Sequence, residues 1–290
     1  MFFLNDLYSL KNKVEEELKS VISNLGEKTK LRDACEYSLL SGGKRVRPII
    51  VLMIREALGA RFDVMPAALA TEFFHTASII ADDLPCMDND DQRRDKPTLH
   101  KVFDESVALL SSYTLISLGY EYIHKNTLLL PKDAEPEKIC VAALEIVTKA
   151  AGIFGATNGQ FIDLFPPDHT LETIEKIIYQ KTITLFEISF CLGWLFGGGD
   201  REKIEDVKLL AYHLGMAFQI GDDLGDVSQD ESRSCEINIA SLLGKEAALL
   251  RYRKELASFR EMLKKLSIDT PALLKFSEFI EKKQLESVCV

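Results

Sequence analysis

Two clusters of aspartate stand out in the sequence, and each ends a run of apolar residues. The first reads Asp-Asp-Leu-Pro-Cys-Met-Asp-Asn-Asp-Asp over residues 82–91, and the second reads Asp-Asp-Leu-Gly-Asp over residues 222–226. Carboxylates at the C-terminal end of a helix oppose its dipole. Hard divalent cations bind carboxylate oxygens, and Mg²⁺ often bridges to phosphates. The clusters therefore predict a metal-dependent phosphate site, whereas the alternative for the first cluster is a solvated acidic loop.

The spacing within the second cluster favours a shared metal ion. Asp222 and Asp226 are four residues apart, so on a helix their carboxylates project from one face, about 6 Å apart along the axis. If the two clusters face each other, they line a carboxylate-walled cavity. Metal sites in helical bundles are built in this way.

A basic segment supplies groups of the opposite charge. It reads Gly-Gly-Lys-Arg-Val-Arg-Pro over residues 42–48 at a predicted helix start, and Arg93 and Arg94 follow the first acidic cluster. A helix N-terminus and guanidinium groups together suit a diphosphate. The alternative is a charge run that only aids solubility.

The composition limits the partners and the compartment. The chain has 290 residues, 47% of them hydrophobic, and a net charge of −10, so nucleic acid and anionic lipid surfaces are poor partners. The six cysteines lack a CxxC pair, which favours free thiols in a reducing, cytoplasmic setting. The apolar stretch 183–199 is short for a membrane span and contains Glu187. We expect a buried core helix there and no stable membrane insertion.

Helical periodicity dominates the chain, and alternating strand-like runs are scarce. Short connections with Pro, Gly or Asp separate the predicted helices, so we expect one all-α domain over residues 1–290. The predicted helices cover residues 7–18, 30–41, 47–58, 66–83, 104–126, 136–155, 171–195, 202–227, 239–266 and 271–284.

Taken together and in this order, the segments resemble the trans-type isoprenyl diphosphate synthases over most of the chain. The matching segments are 42–48 (the GGKRxRP signature), 82–88 (the first aspartate-rich motif in its longer form), 93–98 (the RRGKPT stretch), 158–160 together with Asp163 (GQ), 181–182 (KT) and 218–226 (the second aspartate-rich motif).

The resemblance implies a fold and a reaction. The fold is the isoprenoid synthase fold, a large bundle of antiparallel helices around a central cavity. The reaction is the Mg²⁺-dependent, head-to-tail condensation of isopentenyl diphosphate with an allylic diphosphate. The resemblance also implies a homodimer and three Mg²⁺ ions per active site with substrate bound. No side-chain base is needed, because the departing diphosphate accepts the proton, and an apolar wall protects the allylic cation.

The resemblance also assigns roles to residues. Asp82, Asp88 and Asp222 are the expected direct metal ligands, with Asp83, Asp223 and Asp226 in or near the coordination shell. The expected catalytic residues are Asp82, Asp83, Asp88, Lys181 and Asp222. The groups expected to hold the allylic diphosphate are Arg93, Gln160, Lys181 and Thr182. The groups expected to hold isopentenyl diphosphate are Lys44, Arg47, His75 and Arg94.

His75 is two helical turns before Asp82 and on about the same face, although a lone helical histidine is often an ordinary core residue.

Product length depends on the same helix. Ala77, five residues before Asp82, and Ser78 occupy the position that the resemblance associates with the floor of the product pocket. Because Ala77 is small, Phe74 becomes the next floor, about 4.5 Å deeper. This arrangement predicts a C20 product before a C15 product, unless Phe74 is ordinary core.

Several positions depart from the family pattern. Asp95 replaces the glycine of RRGKPT, Ser111–Tyr113 replaces a Gly-Asp pair, Ile183 replaces the glycine after Lys-Thr, and residues 232–238 replace a lysine-bearing segment. Two other functions therefore stay open: a weakly catalytic regulatory subunit of a paralogous synthase, and a terpene synthase on the same fold. The six motif aspartates argue against the first function, and the retained basic groups argue against the second.

Overall fold

The computed structural model describes residues 2–229 and 238–288, with side chains for residues 6–225 and 238–282. Within these ranges the only strands are β1 (Gln92–Arg93) and β2 (Lys96–Pro97), which pair antiparallel, so the predicted all-α class is confirmed. The α-helices are α1 (Phe2–Ser23), α2 (Lys30–Leu40), α3 (Val46–Ala57), α4 (Met65–Asp82), α5 (Leu99–Val102), α6 (Glu105–Leu128), α7 (Pro136–Ala151), α8 (Ala156–Leu164), α9 (Leu171–Ile177), α10 (Thr184–Gly197), α11 (Ile204–Gln229), α12 (Ile239–Leu243), α13 (Lys245–Lys265) and α14 (Pro271–Val288).

The chain divides into two compact units. The first unit comprises Met1–Glu145 and Leu195–Gly198, and the second comprises Ile146–Trp194 and Gly199–Val290. A single domain over the whole chain stays a prediction.

Helix α4 is central to the first unit. Pro66 lies in its first turn, where the fixed φ of proline suits a helix and no hydrogen bond is lost. The helix packs along α6 and α3, and Leu69, Phe73 and Ile80 are buried. Each such side chain contributes about 1.5–3 kcal/mol by leaving water. This packing fixes the position of the acidic cluster at the C-terminus of α4.

A buried arginine connects the start of α3 to three neighbouring helices by hydrogen bonds. Arg45 is the N-cap residue of α3, with φ of 53°, and its side chain is fully buried. Its guanidinium donates to Glu15 of α1 (2.7 Å), to Glu72 of α4 (2.5 Å) and to the carbonyl oxygen of Leu39 in α2 (2.5 Å). Burial by itself lowers the pKa of Arg45, but Glu72 and Glu15 outweigh it and raise the pKa above the usual value. Arg45 therefore serves the fold.

Helix α11 is central to the second unit. Its buried residues include Leu210, Leu214 and Ile220, and it packs against α13, α14 and α12. The apolar stretch predicted to be a core helix forms α10, which is buried along most of its length. Between α9 and α10 the chain forms a π-helix, Ile178–Ile183, where the sequence predicted one continuous helix.

One segment is long and apolar enough to cross a membrane by length and composition, namely Pro136–Leu164, and 33% of its most apolar part is buried. A turn over residues 152–155 separates α7 from α8 within it. A single segment of this kind argues little for a membrane span, because core helices of globular proteins also meet the criteria.

Candidate active site

The loop after α4 folds back onto the end of the helix. The backbone N–H of Asp88 donates to the carbonyl oxygen of Asp82 (2.9 Å), and those of Met87 and Asn89 donate to Leu84 (2.9 and 3.1 Å). These turns bring the backbone of Asp88 to that of Asp82, although the two residues are six positions apart in the sequence. Asp82 is partly exposed and Asp88 is exposed, so a cation can reach both residues from solvent.

Asp83 has a different environment. It is only 4% exposed and accepts hydrogen bonds from Nε and Nη2 of Arg93 (2.9 and 2.5 Å). Arg93 also contacts Asp90 at 2.6 Å. Burial raises the pKa of Asp83, and the hydrogen bonds and charge of Arg93 offset only part of this rise. The Asp83–Arg93 pair ties the β1–β2 hairpin to the end of α4.

The hairpin turn accommodates the aspartate that stands where the family has a glycine. Its two-residue turn consists of Arg94 (φ 55°) and Asp95 (φ 61°), both in the left-handed region that a type I′ turn requires. Glycine enters this region without steric cost, but aspartate tolerates it better than most residues do. Asp95 is therefore compatible with the turn.

Arg94 rests on the Gly42–Gly43 backbone. Its Nη1 donates to the carbonyl oxygen of Gly42. Gly43 has φ of 130°, and a Cβ added there would lie 2.6 Å from Arg94 Nη1. Gly43 is thus required both by its backbone conformation and by the approach of the guanidinium group. Lys44, next in the chain, is exposed.

His75 contacts Arg47 and is neutral near pH 7. His75 Nε2 lies 3.1 Å from Arg47 Nη1, and because arginine only donates, Nε2 accepts and Nδ1 carries the proton. Nδ1 is buried and finds no hydrogen-bond partner among the described residues. Burial, followed by the charges of Arg47 and Arg94, lowers the pKa of His75 well below its usual value. His75 therefore has one buried N–H donor without an acceptor among the described residues.

In the second unit, α11 carries the second aspartate cluster. Asp222 is partly exposed. Asp223 is 5% exposed and accepts from Gln219 Nε2 (2.8 Å) and from the backbone N–H of Ile239 (3.1 Å). The helix continues through Asp226, whose side chain lies outside the described part of the chain. The segment 232–237 lies outside it as well.

The Lys-Thr pair lies in the π-helix. Lys181 Nζ contacts Asp163 Oδ2 of α8 (2.6 Å), and Thr182 Oγ1 donates to Gln219 Oε1 (3.0 Å). Gly159 packs so closely that an added Cβ would lie 2.4 Å from the backbone nitrogen of Lys181. Gln160 is the next residue on α8. Within this unit the fold therefore brings the GQ and KT segments together. Short π-helical segments are frequent at functional sites.

The model of the polyprenyl synthetase family matches residues 28–237. The chain belongs to the polyprenyl synthetase family. A chloroplastic geranylgeranyl pyrophosphate synthase of Arabidopsis thaliana is 42% identical over 224 residues, which cover 75% of this chain and 62% of the relative. Large subunit 2 of a heterodimeric geranylgeranyl pyrophosphate synthase from the same plant is 40% identical over 268 residues, covering 89% of this chain and 67% of the relative. This polyprenyl synthetase thus spans less than two thirds of the length of the first relative.

Solved structures confirm the fold of this polyprenyl synthetase. A geranyltransferase from Legionella pneumophila matches with a TM-score of 0.84 at 27% identity, over 97% of this chain and 98% of that chain. A geranyltranstransferase from Thermotoga maritima matches with a TM-score of 0.81 at 28% identity, over 97% and 99% of the two chains. The fold is the isoprenoid synthase fold.

Neighbouring residues accommodate two further departures of this polyprenyl synthetase from the family pattern. Ile183 is fully buried and packs on Gly215 of α11, where an added Cβ would lie 3.0 Å from its Cγ1. Ser112 of α6 is buried, and its hydroxyl donates to the carbonyl oxygen of Ala77 (2.9 Å). Both side chains are therefore accommodated by the described packing.

The residues expected to limit product length lie where α4 packs on α6. Ala77 and Phe74 are buried, and Ser78 is partly exposed. The Phe74 ring meets Tyr120 edge-on with centroids 5.2 Å apart, and an added Cβ on Gly119 would lie 2.5 Å from its Cζ. The small residue at 119 thus makes the space that the Phe74 ring occupies.

Three residues contact the predicted ones and lie within the matching motifs or the first acidic cluster, but the sequence assigned them no individual role. Asp163 pairs with Lys181, Asp90 pairs with Arg93, and Gln219 lies between Thr182 and Asp223. For Gln219 a signal was present, because it precedes Asp223 by four residues on a predicted helix and so shares its face.

Proposed function

We propose that this polyprenyl synthetase is a Mg²⁺-dependent prenyltransferase. It condenses isopentenyl diphosphate head-to-tail with an allylic diphosphate and releases a short-chain polyprenyl diphosphate, with C20 favoured over C15. The observation that carries the proposal is the fold-back that brings Asp88 to Asp82 at the end of a buried helix. The relatives named geranylgeranyl pyrophosphate synthases and the solved geranyltransferases support the same reaction.

Asp82, Asp88 and Asp222 are the proposed Mg²⁺ ligands, in a site that takes three ions with substrate bound. Bound Mg²⁺ neutralises the charge that develops on the departing diphosphate. The described residues contain no group of three His, Cys, Asp or Glu side chains able to hold a metal ion. Mg²⁺ generally takes one or two carboxylates and would complete its shell with water and substrate phosphates. The remaining acids of the two motifs, Asp83, Asp223 and Asp226, are proposed as members or neighbours of the coordination shell.

Isopentenyl diphosphate is proposed to bind in the first unit, to Lys44, Arg47, His75 and Arg94. The neutral His75 supplies Nδ1–H as a donor without adding a charge, and Arg47 fixes its tautomer. The guanidinium groups neutralise a diphosphate in a chain whose net charge is −10.

The allylic diphosphate is proposed to bind to Arg93, Gln160, Lys181 and Thr182, with Lys181 as a catalytic residue. The Lys181–Asp163 ion pair is partly exposed, with side-chain exposures of 27% and 40%. Such a pair is worth about 0–1 kcal/mol, so Lys181 exchanges it readily for a diphosphate oxygen.

Turnover of labelled isopentenyl diphosphate with C5, C10 and C15 allylic diphosphates tests the function, with products separated by chromatography. A C20 product supports the proposal. Activity only after mixing with a paralogous synthase indicates a regulatory subunit. Conversion of an allylic diphosphate to a hydrocarbon without use of isopentenyl diphosphate indicates a terpene synthase.

We further propose a homodimer, a single isoprenoid synthase domain over residues 1–290, a cytoplasmic location and no stable membrane insertion. Leu109, Tyr113 and Ile116 form an exposed apolar stripe on α6, which a second copy would cover. The described cysteines are unpaired, as a reducing compartment requires. Some relatives are named as heterodimeric subunits, and some as chloroplastic or mitochondrial. Sedimentation velocity of the purified protein therefore tests the homodimer, and imaging of a tagged chain tests the location.

A further inference from the structure

A small crevice lies within the first unit, between α2, α4 and the β1–β2 hairpin. The residues that line it include Ser38 of α2, Thr76 of α4 and Arg94 of the hairpin, and we call it the α2–α4 crevice. Its volume is about 40 Å³, and it is partly open to solvent. One water molecule needs about 10–15 Å³ on this measure, so the crevice has room for about three waters or for one small ion.

Two hydroxyl groups in the wall of the α2–α4 crevice lack a partner. Ser38 is 8% exposed and Thr76 is 5% exposed, and their hydroxyl oxygens form no hydrogen bond in the described part of the chain. The neighbouring hydroxyls are used, because Ser41 donates to the carbonyl oxygen of Ser38 (3.0 Å) and Tyr37 donates to that of Pro97 (2.8 Å). Buried polar groups are nearly always hydrogen-bonded, so the two unpartnered hydroxyls indicate a bound group in the crevice.

The charges around the α2–α4 crevice favour an anion. Arg93, Arg94 and Lys96 line it, together with a single carboxylate, that of Asp83. Asp83 already accepts two hydrogen bonds from Arg93. Among the described residues, no carboxylate lies within ion-pair distance of Arg94 or Lys96. Burial lowers the pKa of Arg94, and an anion beside its guanidinium group would offset this cost.

The chemistry of the wall excludes other kinds of ligand. Ile80 and Leu99, each 4% exposed, form apolar parts of the wall, and such surroundings strengthen hydrogen bonds to charged groups. A cation would be repelled by the two cations that have no carboxylate partner. An apolar ligand would leave both hydroxyls without a hydrogen bond. An oxyanion, in contrast, accepts hydrogen bonds from hydroxyls and from a guanidinium group at the same time.

We propose that the α2–α4 crevice binds a small oxyanion of the size of inorganic phosphate, held by the hydroxyls of Ser38 and Thr76 and by the guanidinium group of Arg94. The site differs from the one proposed for isopentenyl diphosphate, because Arg47 and His75 do not line the crevice. Arg94 is common to the two sites. An oxyanion in the crevice therefore draws on a cation that the proposed diphosphate site also uses.

Titration with inorganic phosphate tests the binding, in the absence of Mg²⁺ and substrate and at constant ionic strength. The melting temperature of wild type should rise with phosphate, because a ligand of the folded state stabilises it. In the Ser38→Ala, Thr76→Val variant the apparent Kd for phosphate should rise at least about tenfold, because two hydrogen bonds to a charged group are lost. This variant should still fold, since neither hydroxyl has a protein partner to lose among the described residues.

Thr71→Val is the matched control, because the same chemical change falls on α4 outside the crevice. Thr71 is 2% exposed, and its hydroxyl donates to the carbonyl oxygen of Ala68 (2.7 Å), so this variant should keep the phosphate affinity of wild type. Arg47→Met should keep it too. Loss of phosphate binding in Arg47→Met but not in the double variant would place the oxyanion at the proposed diphosphate site and overturn the proposal. Absence of any phosphate effect on wild type overturns it as well.

The effect on turnover rests on the proposed prenyl transfer. Phosphate should raise the KM for isopentenyl diphosphate in wild type and leave kcat unchanged, because the two ligands share Arg94. The Ser38→Ala, Thr76→Val variant should lose this inhibition, while its KM without phosphate stays within about twofold of wild type. If wild type shows no prenyl transfer but the phosphate binding pattern appears, the proposed function is wrong and the oxyanion site stands. If the double variant binds phosphate as tightly as wild type does, the site is refuted whatever the activity.

Discussion

Replacing Arg45 by Met is expected to destabilise the protein without removing any proposed substrate contact. The change leaves Glu72, whose side chain is 2% exposed, without its guanidinium partner. Removing one partner of a buried ion pair costs about 3–5 kcal/mol. The unfolding entropy is about 2.1 cal/mol/K per residue, which for 290 residues gives about 0.6 kcal/mol/K. The melting temperature should therefore fall by about 5–8 °C.

The assay is thermal unfolding followed by circular dichroism, with two further variants. Lys44→Met changes an exposed neighbour in the same segment and should move the melting temperature by less than about 1 °C. Arg45→Met with Glu72→Met removes both buried charges and should recover most of the loss, because an apolar pair of similar volume often replaces a buried ion pair without cost. A loss below about 1 kcal/mol in Arg45→Met, or no recovery in the double variant, would refute the reasoning.

The other predictions concern the site. Asp82→Asn or Asp222→Asn should abolish turnover and leave helicity unchanged, because each removes charge from the proposed metal cluster; turnover within a few-fold of wild type at saturating Mg²⁺ contradicts the assignment. EDTA should abolish activity, and calorimetry should show tight binding of a diphosphate ligand only with Mg²⁺, whereas equal affinity without metal counts against it. Ala77→Tyr should shift the product to C15, because the ring fills the space of the fourth prenyl unit, and an unchanged product places the floor elsewhere. Phe74→Ala should lengthen the product, and a shift in the other direction excludes Phe74 as the floor, with thermal unfolding as the control since Phe→Ala in a core costs about 3–5 kcal/mol. Asp95→Gly should raise the melting temperature slightly, because glycine adopts positive φ without strain, and a lowered melting temperature means that the Asp95 side chain has a stabilising contact.

The sequence was most informative where one helix carries both the packing and the chemistry. The apolar spacing of α4 and α11 predicted both helices to within two residues at each end, and with them the place of Asp82 and Asp222. The reason is local: apolar residues at helical spacing, followed by a cluster of acids, fix both the element and its end.

The sequence was least informative where a role depends on contacts between distant residues. Arg45 and Arg47 look alike in the basic segment, yet Arg45 turns into the core and Arg47 meets His75. That difference follows from Glu15 and Glu72 on other helices. The π-helix was missed for a related reason: Gly159 of α8 packs against the backbone of Lys181 within it, and no local propensity reveals a contact between such distant residues.

The π-helix also bears on how a member of this family loses activity over evolutionary time. A π-turn holds one more residue than the α-helical turn it replaces, so deleting a single residue there would give a continuous α-helix. The preceding turns would then rotate by about 100° relative to α10, which would carry Lys181 away from Asp163 while the buried face of α10 stays in register. The same rotation would turn the buried residues Thr173, Ile174 and Ile177 of α9 out of their packing, so a single-residue deletion in the π-helix would be expected to disturb the proposed site and the packing of α9 together.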